Sequence, residues 1–302
     1  MAPKNFDRKL LLLLPLSLFL LVAFAYLFSR HFDAADRSKM PAGAQNKTEI
    51  YYEPRVYRLP AEIATSTDAL LISKNLPTST VNIPILLYHY LEPIDTKDRL
   101  RAGMTVTPEK FAEQLDLIKR SGVETLTISQ VAALLGGSAA KGKKIALTFD
   151  DGYRDFYQYA FPLLKKYQIK ATVYVIYNAI NDPAYLSEEM IKEMLSSGLV
   201  EIGSHDLDHK KLTSLSAAEA RRQIFLSKKM FEERFKIPIH TLAYPYGSFN
   251  RPIADLVRAA GYRAAVSVIT GEKQSAANRY FLFRLRSSNS GDALIKHLIS
   301  DK

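Results

Sequence analysis

Two adjacent carboxylates close an apolar run in "ALTFDDGY", residues 146–153: Asp150 and Asp151, followed by Gly152. Two readings are open. Asp-Gly is a turn signal, and an acid often opens the next helix. Alternatively, one carboxylate binds a cation while its neighbour handles a proton. A second segment bears on the choice. "SHDLDH", residues 204–209, spaces His205 and His209 four apart, so one helical turn aims both imidazoles the same way. Two His and one carboxylate suit a borderline divalent ion, Zn²⁺ above all, with positions left for water and substrate. An H-x-x-x-H pair alone is common on surfaces; joined to "TFDDG" it is specific. His89 ends a third run, "ILLY", and "YPYG", residues 244–247, follows a fourth, "HTLA".

These groups need elements that bring them to one place. From residue 83 short apolar runs alternate with amphipathic stretches. The runs are 83–88, 123–127, 144–149, 171–176, 200–203, 240–244 and 262–268. Helices are expected near 108–121, 129–135, 154–168, 187–197, 216–236 and 250–260. "TPEKFAEQLDLIKRSG" carries the signals plainly: Thr107 caps, Pro108 suits the first position, Gly122 ends the helix, and Phe111, Leu115 and Ile118 form its apolar face. Alternating strands and helices predict a parallel sheet, either an irregular (β/α) barrel or a doubly wound sheet. Both folds present ligands to the carboxyl ends of the strands, where the four groups fall.

Composition narrows the class. The 302 residues carry 41 Lys+Arg against 31 Asp+Glu, net +10, but the basic residues are scattered and no nucleic-acid motif is present. Cysteine is absent, which excludes disulfides, thiolate metal sites and a cysteine nucleophile. Residues 10–28 are 19 positions without a charge, preceded by Lys4, Arg8 and Lys9. That length spans a bilayer. The expected organisation is a cytoplasmic segment 1–9, a transmembrane anchor 10–28, a tether 29–80 and a domain 81–302 outside the cytoplasm. The alternative is a signal peptide cleaved near "AFA", residues 23–25, and a secreted protein.

"TFDDGY", "IGSHDLDH" and "AYPYG" together resemble the motifs of the polysaccharide deacetylase family, the fourth carbohydrate esterase family, over about residues 84–286. The resemblance implies a distorted (β/α)₇ barrel and metal-dependent removal of N-acetyl, less often O-acetyl, groups from polysaccharide. It assigns Asp151, His205 and His209 to the metal, expected to be Zn²⁺ with Co²⁺ or Ni²⁺ as alternatives. It assigns Asp150 as the catalytic base and, for the oxyanion, the backbone N–H of Tyr246 after Pro245. The division suits the chemistry, because a metal-bound carboxylate is a poor proton acceptor. Acetylated polysaccharide and a membrane are the expected partners, and nucleic acid is not.

Three positions depart from the family's commonest pattern. Asp206 stands where Ser or Thr is usual. Ala243 stands where an Arg that orients the base is frequent. The late acidic His is represented only by His297, in a surface-helix pattern. Exported deacetylases resembling those of poly-β-1,6-N-acetylglucosamine carry an early Tyr-His strand end instead, and "PILLYHYLEP" is similar to it. The resemblance therefore implies His89 as the acid; Arg284 in "FLFRLR" is the candidate to replace the absent Arg. A non-catalytic glycan-binding domain and a small-amide hydrolase on the same fold are the competing readings.

Overall fold

The computed structural model describes residues 80–95, 97–135, 142–288 and 291–299. The expected segment 1–9, the anchor 10–28 and the tether as far as residue 79 lie outside them. Among the described residues no helix is long and apolar enough to cross a membrane.

The strands in chain order are β1 (Val81–Asn82), β2 (Ile85–Tyr88), β3 (Tyr90–Leu91), β4 (Thr105–Val106), β5 (Glu124–Leu126), β6 (Lys144–Phe149), β7 (Ala171–Val175), β8 (Val200–Ser204), β9 (Thr241–Ala243), β10 (Ala264–Thr270), β11 (Lys273–Gln274) and β12 (Leu282–Arg286). Seven of them close a parallel ring in the order β2, β6, β7, β8, β9, β10, β12 and back to β2. The closing contact pairs Leu285 with Leu86 and Arg286 with Leu87. This is the expected barrel rather than a doubly wound sheet. The β2–β6 pairing joins what would otherwise be the two edge staves of the ring.

Two strand assignments differ from the sequence expectation. The run 123–127 forms β5, but β5 is not a stave of the ring. Ala146 of β6 pairs with Ile85 of β2 and with Leu126 of β5, so β5 lies on the far side of β6 from β2. β7 takes over that side only at Thr148 and Phe149. The wedge of β5 at the start of β6 is what distorts the barrel. The seventh stave is β12, absent from the expected strands because Arg284 and Arg286 interrupt its apolar pattern.

Helices α1 (Arg99–Ala102), α2 (Pro108–Arg120), α3 (Ile128–Leu134), α4 (Phe161–Tyr167), α5 (Glu188–Ser196), α6 (Ala217–Phe235), α7 (Arg251–Ala259) and α8 (Asp292–Ile299) follow the capping signals closely. Thr107 accepts from the Lys110 N–H and Thr127 forms a capping box with Gln130. Ser187, Ser216 and Asn250 cap α5, α6 and α7. The expected helix 154–168 is split: a π-helical turn over Phe156–Ala160 precedes α4.

Strand period decides which residues enter the barrel. One buried cluster joins Ile85, Ala146, Tyr174, Ala243, Ala264, Val266 and Leu282 to Ile128, Val131, Ala132 and Leu135 of the α3 region. α3 therefore plugs the end of the barrel where the strands start. The alternate residues, among them Leu86, Tyr88, Leu147 and Phe149, pack in the larger cluster with Phe111, Leu115 and Ile118 of α2. At the other end the inward period runs on from Ile85 to His89, from Ala146 to Asp150, from Gly203 to His205 and from Leu282 to Arg284.

Candidate active site

Asp150 leaves β6 on the inward period, buried at 4% exposure. Arg284, 1% exposed, meets it from β12 with a two-pronged fork: Nη1 donates to Oδ1 and Nη2 to Oδ2, each at 2.7 Å. The guanidinium is itself held. Nε donates to the Ser267 carbonyl at 2.7 Å and Nη1 to the Thr148 hydroxyl at 3.1 Å. Burial alone would raise the Asp150 carboxyl. The Arg284 charge and hydrogen bonds overcome that and hold it down at about 2. Asp150 is thus an aimed, ionised carboxylate.

Asp151 reaches the same cavity by a different route. It has φ 72° and Gly152 φ 75°, and the Gly152 N–H returns to the Asp150 carbonyl at 3.0 Å. Two successive left-handed residues reverse the chain so sharply that the neighbouring side chains meet different partners, Arg284 for Asp150 and the two imidazoles for Asp151. Gly152 answers a second constraint: a Cβ there would sit 3.2 Å from three atoms of Val175.

Oδ1 of Asp151 lies 3.2 Å from His205 Nε2 and 3.3 Å from His209 Nε2. The three donor atoms are within 4.8 Å of one another. His205 is anchored from behind, its Nδ1–H donating to the Ala243 carbonyl at 2.9 Å. A carbonyl only accepts, so Nδ1 carries the proton, and in the neutral ring Nε2 is the nitrogen whose lone pair faces the cavity. The donor set, the spacing and this outer contact fit a divalent cation. Burial opposes charge on both partners of the Asp151–His205 pair; their mutual attraction prevails, lowering Asp151 and raising His205. Burial, reinforced by His205, pushes the His209 imidazole down to about 4.

Asp206 does more than the sequence suggested. Its carboxylate accepts from the backbone N–H groups of Asp208 at 2.8 Å, His209 at 2.6 Å and Lys210 at 3.0 Å. Asp206 and His209 both have positive φ, 60° and 55°. The acid thus folds the "SHDLDH" turn and sets His209 beside His205. A Ser or Thr offers one acceptor oxygen where Asp206 offers two, and that difference was the available signal.

His89 follows β2, whose Tyr88 pairs with Phe149 and accepts the Asp150 N–H at 3.0 Å. It is half-buried beside the two carboxylates. Burial lowers its imidazole, with Asp150 and Asp151 acting against that shift. Pro245 is buried at the end of β9, while Tyr246 has φ 57° and an exposed ring 4.5 Å from that of His209. His297 stays apart, exposed on α8, as expected. The structure therefore brings together Asp150, Asp151, His205, His209, His89, Tyr246 and Arg284.

Known proteins share this arrangement of sequence and fold. The polysaccharide deacetylase family profile matches residues 137–265. A Bacillus subtilis protein, YxkH, provisionally named a polysaccharide deacetylase, is 33% identical over 223 residues, which is 73% of this chain and 77% of that protein. The poly-β-1,6-N-acetyl-D-glucosamine N-deacetylase of Staphylococcus aureus is 26% identical over 208 residues, 65% of this chain and 71% of that enzyme. Among solved structures, the Streptococcus pyogenes deacetylase PplD in complex with acetate superposes with a TM-score of 0.68 at 28% identity, covering 73% of this chain and 98% of that one. By identity, coverage and fold, this chain belongs to the polysaccharide deacetylase family and is a deacetylating hydrolase.

Proposed function

We propose that the chain removes N-acetyl groups from an N-acetylglucosamine polymer, using a divalent metal held by Asp151, His205 and His209. The observation that carries the reading is the convergence of those three donors beside a carboxylate, Asp150, that Arg284 keeps ionised and aimed. When bound, the cation, Zn²⁺ by its donor set, supplies Lewis-acid polarisation of the acetyl carbonyl and acidifies water. Asp150 takes the proton of the attacking water. The Tyr246 N–H donates to the developing oxyanion. His89 gives a proton to the amine nitrogen as the C–N bond breaks, so that one water and one acetamido group become acetate and a free amine. A domain that only bound glycan would have no use for a forked base at the metal site.

The likeness to the staphylococcal N-deacetylase supports a β-1,6-linked polymer as the first substrate to try. The uncharged stretch 10–28 would hold the domain at a membrane, facing outward. The test is acetate release by the full chain from poly-β-1,6-N-acetylglucosamine, peptidoglycan and chitin oligomers. Chelation should abolish release and Zn²⁺ restore it. Asp150→Asn should keep its metal and lose turnover. Release that survives chelation, or an active Asp150→Asn protein, would overturn the proposal.

A further inference from the structure

A ladder of side chains stands beside the site and has no part in the chemistry above. The Arg101 guanidinium lies 4.0 Å over the Tyr90 ring. Tyr90 stacks on Tyr153 at 4.4 Å between centroids and 27° between planes. Tyr153 stacks in turn on Tyr185 at 5.0 Å and 27°. The Tyr90 hydroxyl donates to the Tyr153 hydroxyl at 2.8 Å, and Glu92 clamps Arg101 through Nε and Nη2. The four rungs come from four separate segments: β3, α1, the turn after β6 and the loop after β7.

The chain position of the rungs is informative. Tyr90 follows His89, and Tyr153 is two residues past Asp151. Three ties bind the residues flanking His89 to the turn that carries the acids. The Asp150 N–H donates to the Tyr88 carbonyl at 3.0 Å. Tyr90 bonds and stacks with Tyr153. The Leu91 N–H donates to Asp155 Oδ2 at 2.8 Å. Tyr153 is fixed from its other side, because the Arg154 N–H reaches the Ala184 carbonyl and the Leu186 N–H the Gly152 carbonyl, both at 2.9 Å. Stacked aromatic pairs each add about 0.5–1.5 kcal/mol beyond burial and hold their partners in register. His89 itself sits on a strand end, where one residue of play would redirect its ring.

We infer that the Arg101–Tyr90–Tyr153–Tyr185 ladder is a positioning device that holds the His89 imidazole over the leaving nitrogen. The inference rests on the reading of His89 as the acid. It makes the ladder matter only where the leaving group needs a proton. An amine must leave protonated, with the proton His89 gives up. The aryloxide of 4-nitrophenyl acetate leaves as an anion and takes none.

The experiment compares two substrates on the metal-loaded full chain: an N-acetylglucosamine oligomer and 4-nitrophenyl acetate. In Tyr153→Leu, kcat on the amide should fall about 10–100-fold, the loss a misplaced group causes, while kcat on the ester stays within about threefold. Tyr153→Phe keeps the stack and should recover most of the amide rate. Arg101→Met, at the far end of the ladder, should show the same selectivity at about a third of the logarithmic loss, and it carries the test if Tyr153→Leu does not fold. In a His89→Ala background Tyr153→Leu should cost nothing further on the amide. Equal losses on both substrates, or an additive loss on top of His89→Ala, overturn the inference while leaving His89 as the acid. If His89→Ala itself leaves the amide-to-ester ratio at the wild-type value, the acid reading falls, and the ladder's role with it.

Discussion

Arg284 and Asp150, 134 residues apart in the chain, join through two 2.7 Å hydrogen bonds across the inside of the barrel. Both are almost fully buried, and the ring closes where β12 meets β2. The strand that completes the barrel is therefore the strand that delivers the counter-charge to Asp150. Barrel closure and the orientation of the Asp150 carboxylate thus draw on the same strand.

Breaking that contact should have two separable effects. Arg284→Met leaves a buried carboxylate without a partner, which costs about 3–5 kcal/mol of stability. Urea denaturation would read it as a lower midpoint with an unchanged slope. Arg284→Lys keeps a charge but not the planar fork, so it should unfold less readily than Arg284→Met yet lose about 10–100-fold in kcat. A lysine variant with full activity would refute an orienting role.

Asp206 organises the turn that sets His209 beside His205 through three backbone N–H groups. Asp206→Ala should weaken metal affinity by about 10–100-fold, the usual effect of removing an outer-shell partner. Competition with a chromophoric chelator measures this directly. Activity at saturating Zn²⁺ should return in large part, because no ligand has been removed.

Gly247 follows Tyr246 with φ 63°, and a Cβ there would lie 2.2 Å from Val268 Cγ2. Gly247→Ala should cost about 1–3 kcal/mol from strain and overpacking together. It should also lower kcat by displacing the Tyr246 N–H. Adding Val268→Ala relieves the contact but not the backbone conformation, so thermal melting should show partial recovery in the double variant.

Asp155 supplies a pH test. Burial first, and Glu92 second among the raising influences, push its carboxyl up to about 6, against hydrogen bonds from the Leu91 and Phe156 N–H groups and the charge of Arg101. The folded value lies above the unfolded one. The stability Asp155 contributes is therefore complete below pH 3.8 and is lost as pH rises through about 6. Asp155→Asn keeps an acceptor for the Leu91 N–H and does not titrate. Its unfolding free energy relative to wild type should rise by on the order of 3 kcal/mol between pH 4 and pH 8. Denaturation curves at the two pH values that give a constant difference would contradict this.

Much of this was legible in the chain. Thr107, Pro108 and the Phe111–Leu115–Ile118 face specified α2, because caps and periodicity are local physics and leave a local trace. The run into "TFDDGY" announced a strand ending in two acids, since a stave buried on both faces has to be apolar and a chemical group has to stand at its end. The motif spacing carried the Asp151–His205–His209 cluster and the family. β12 was harder to see. Arg284 breaks its apolar pattern, and the reason an arginine belongs there is an aspartate from another strand.

The sequence by itself determined the motifs that mark the family, the capped helices and the apolar runs of six of the seven staves, because residue type, spacing and caps act over a few positions. The tertiary structure alone decided that β5 wedges beside β6 instead of serving as a stave, that Arg284 forks Asp150, that Ala243 fixes the His205 tautomer, and that Tyr90 stacks on Tyr153. Those are contacts between segments far apart in the chain. Their partners are chosen by how the barrel closes, and no local pattern records that choice.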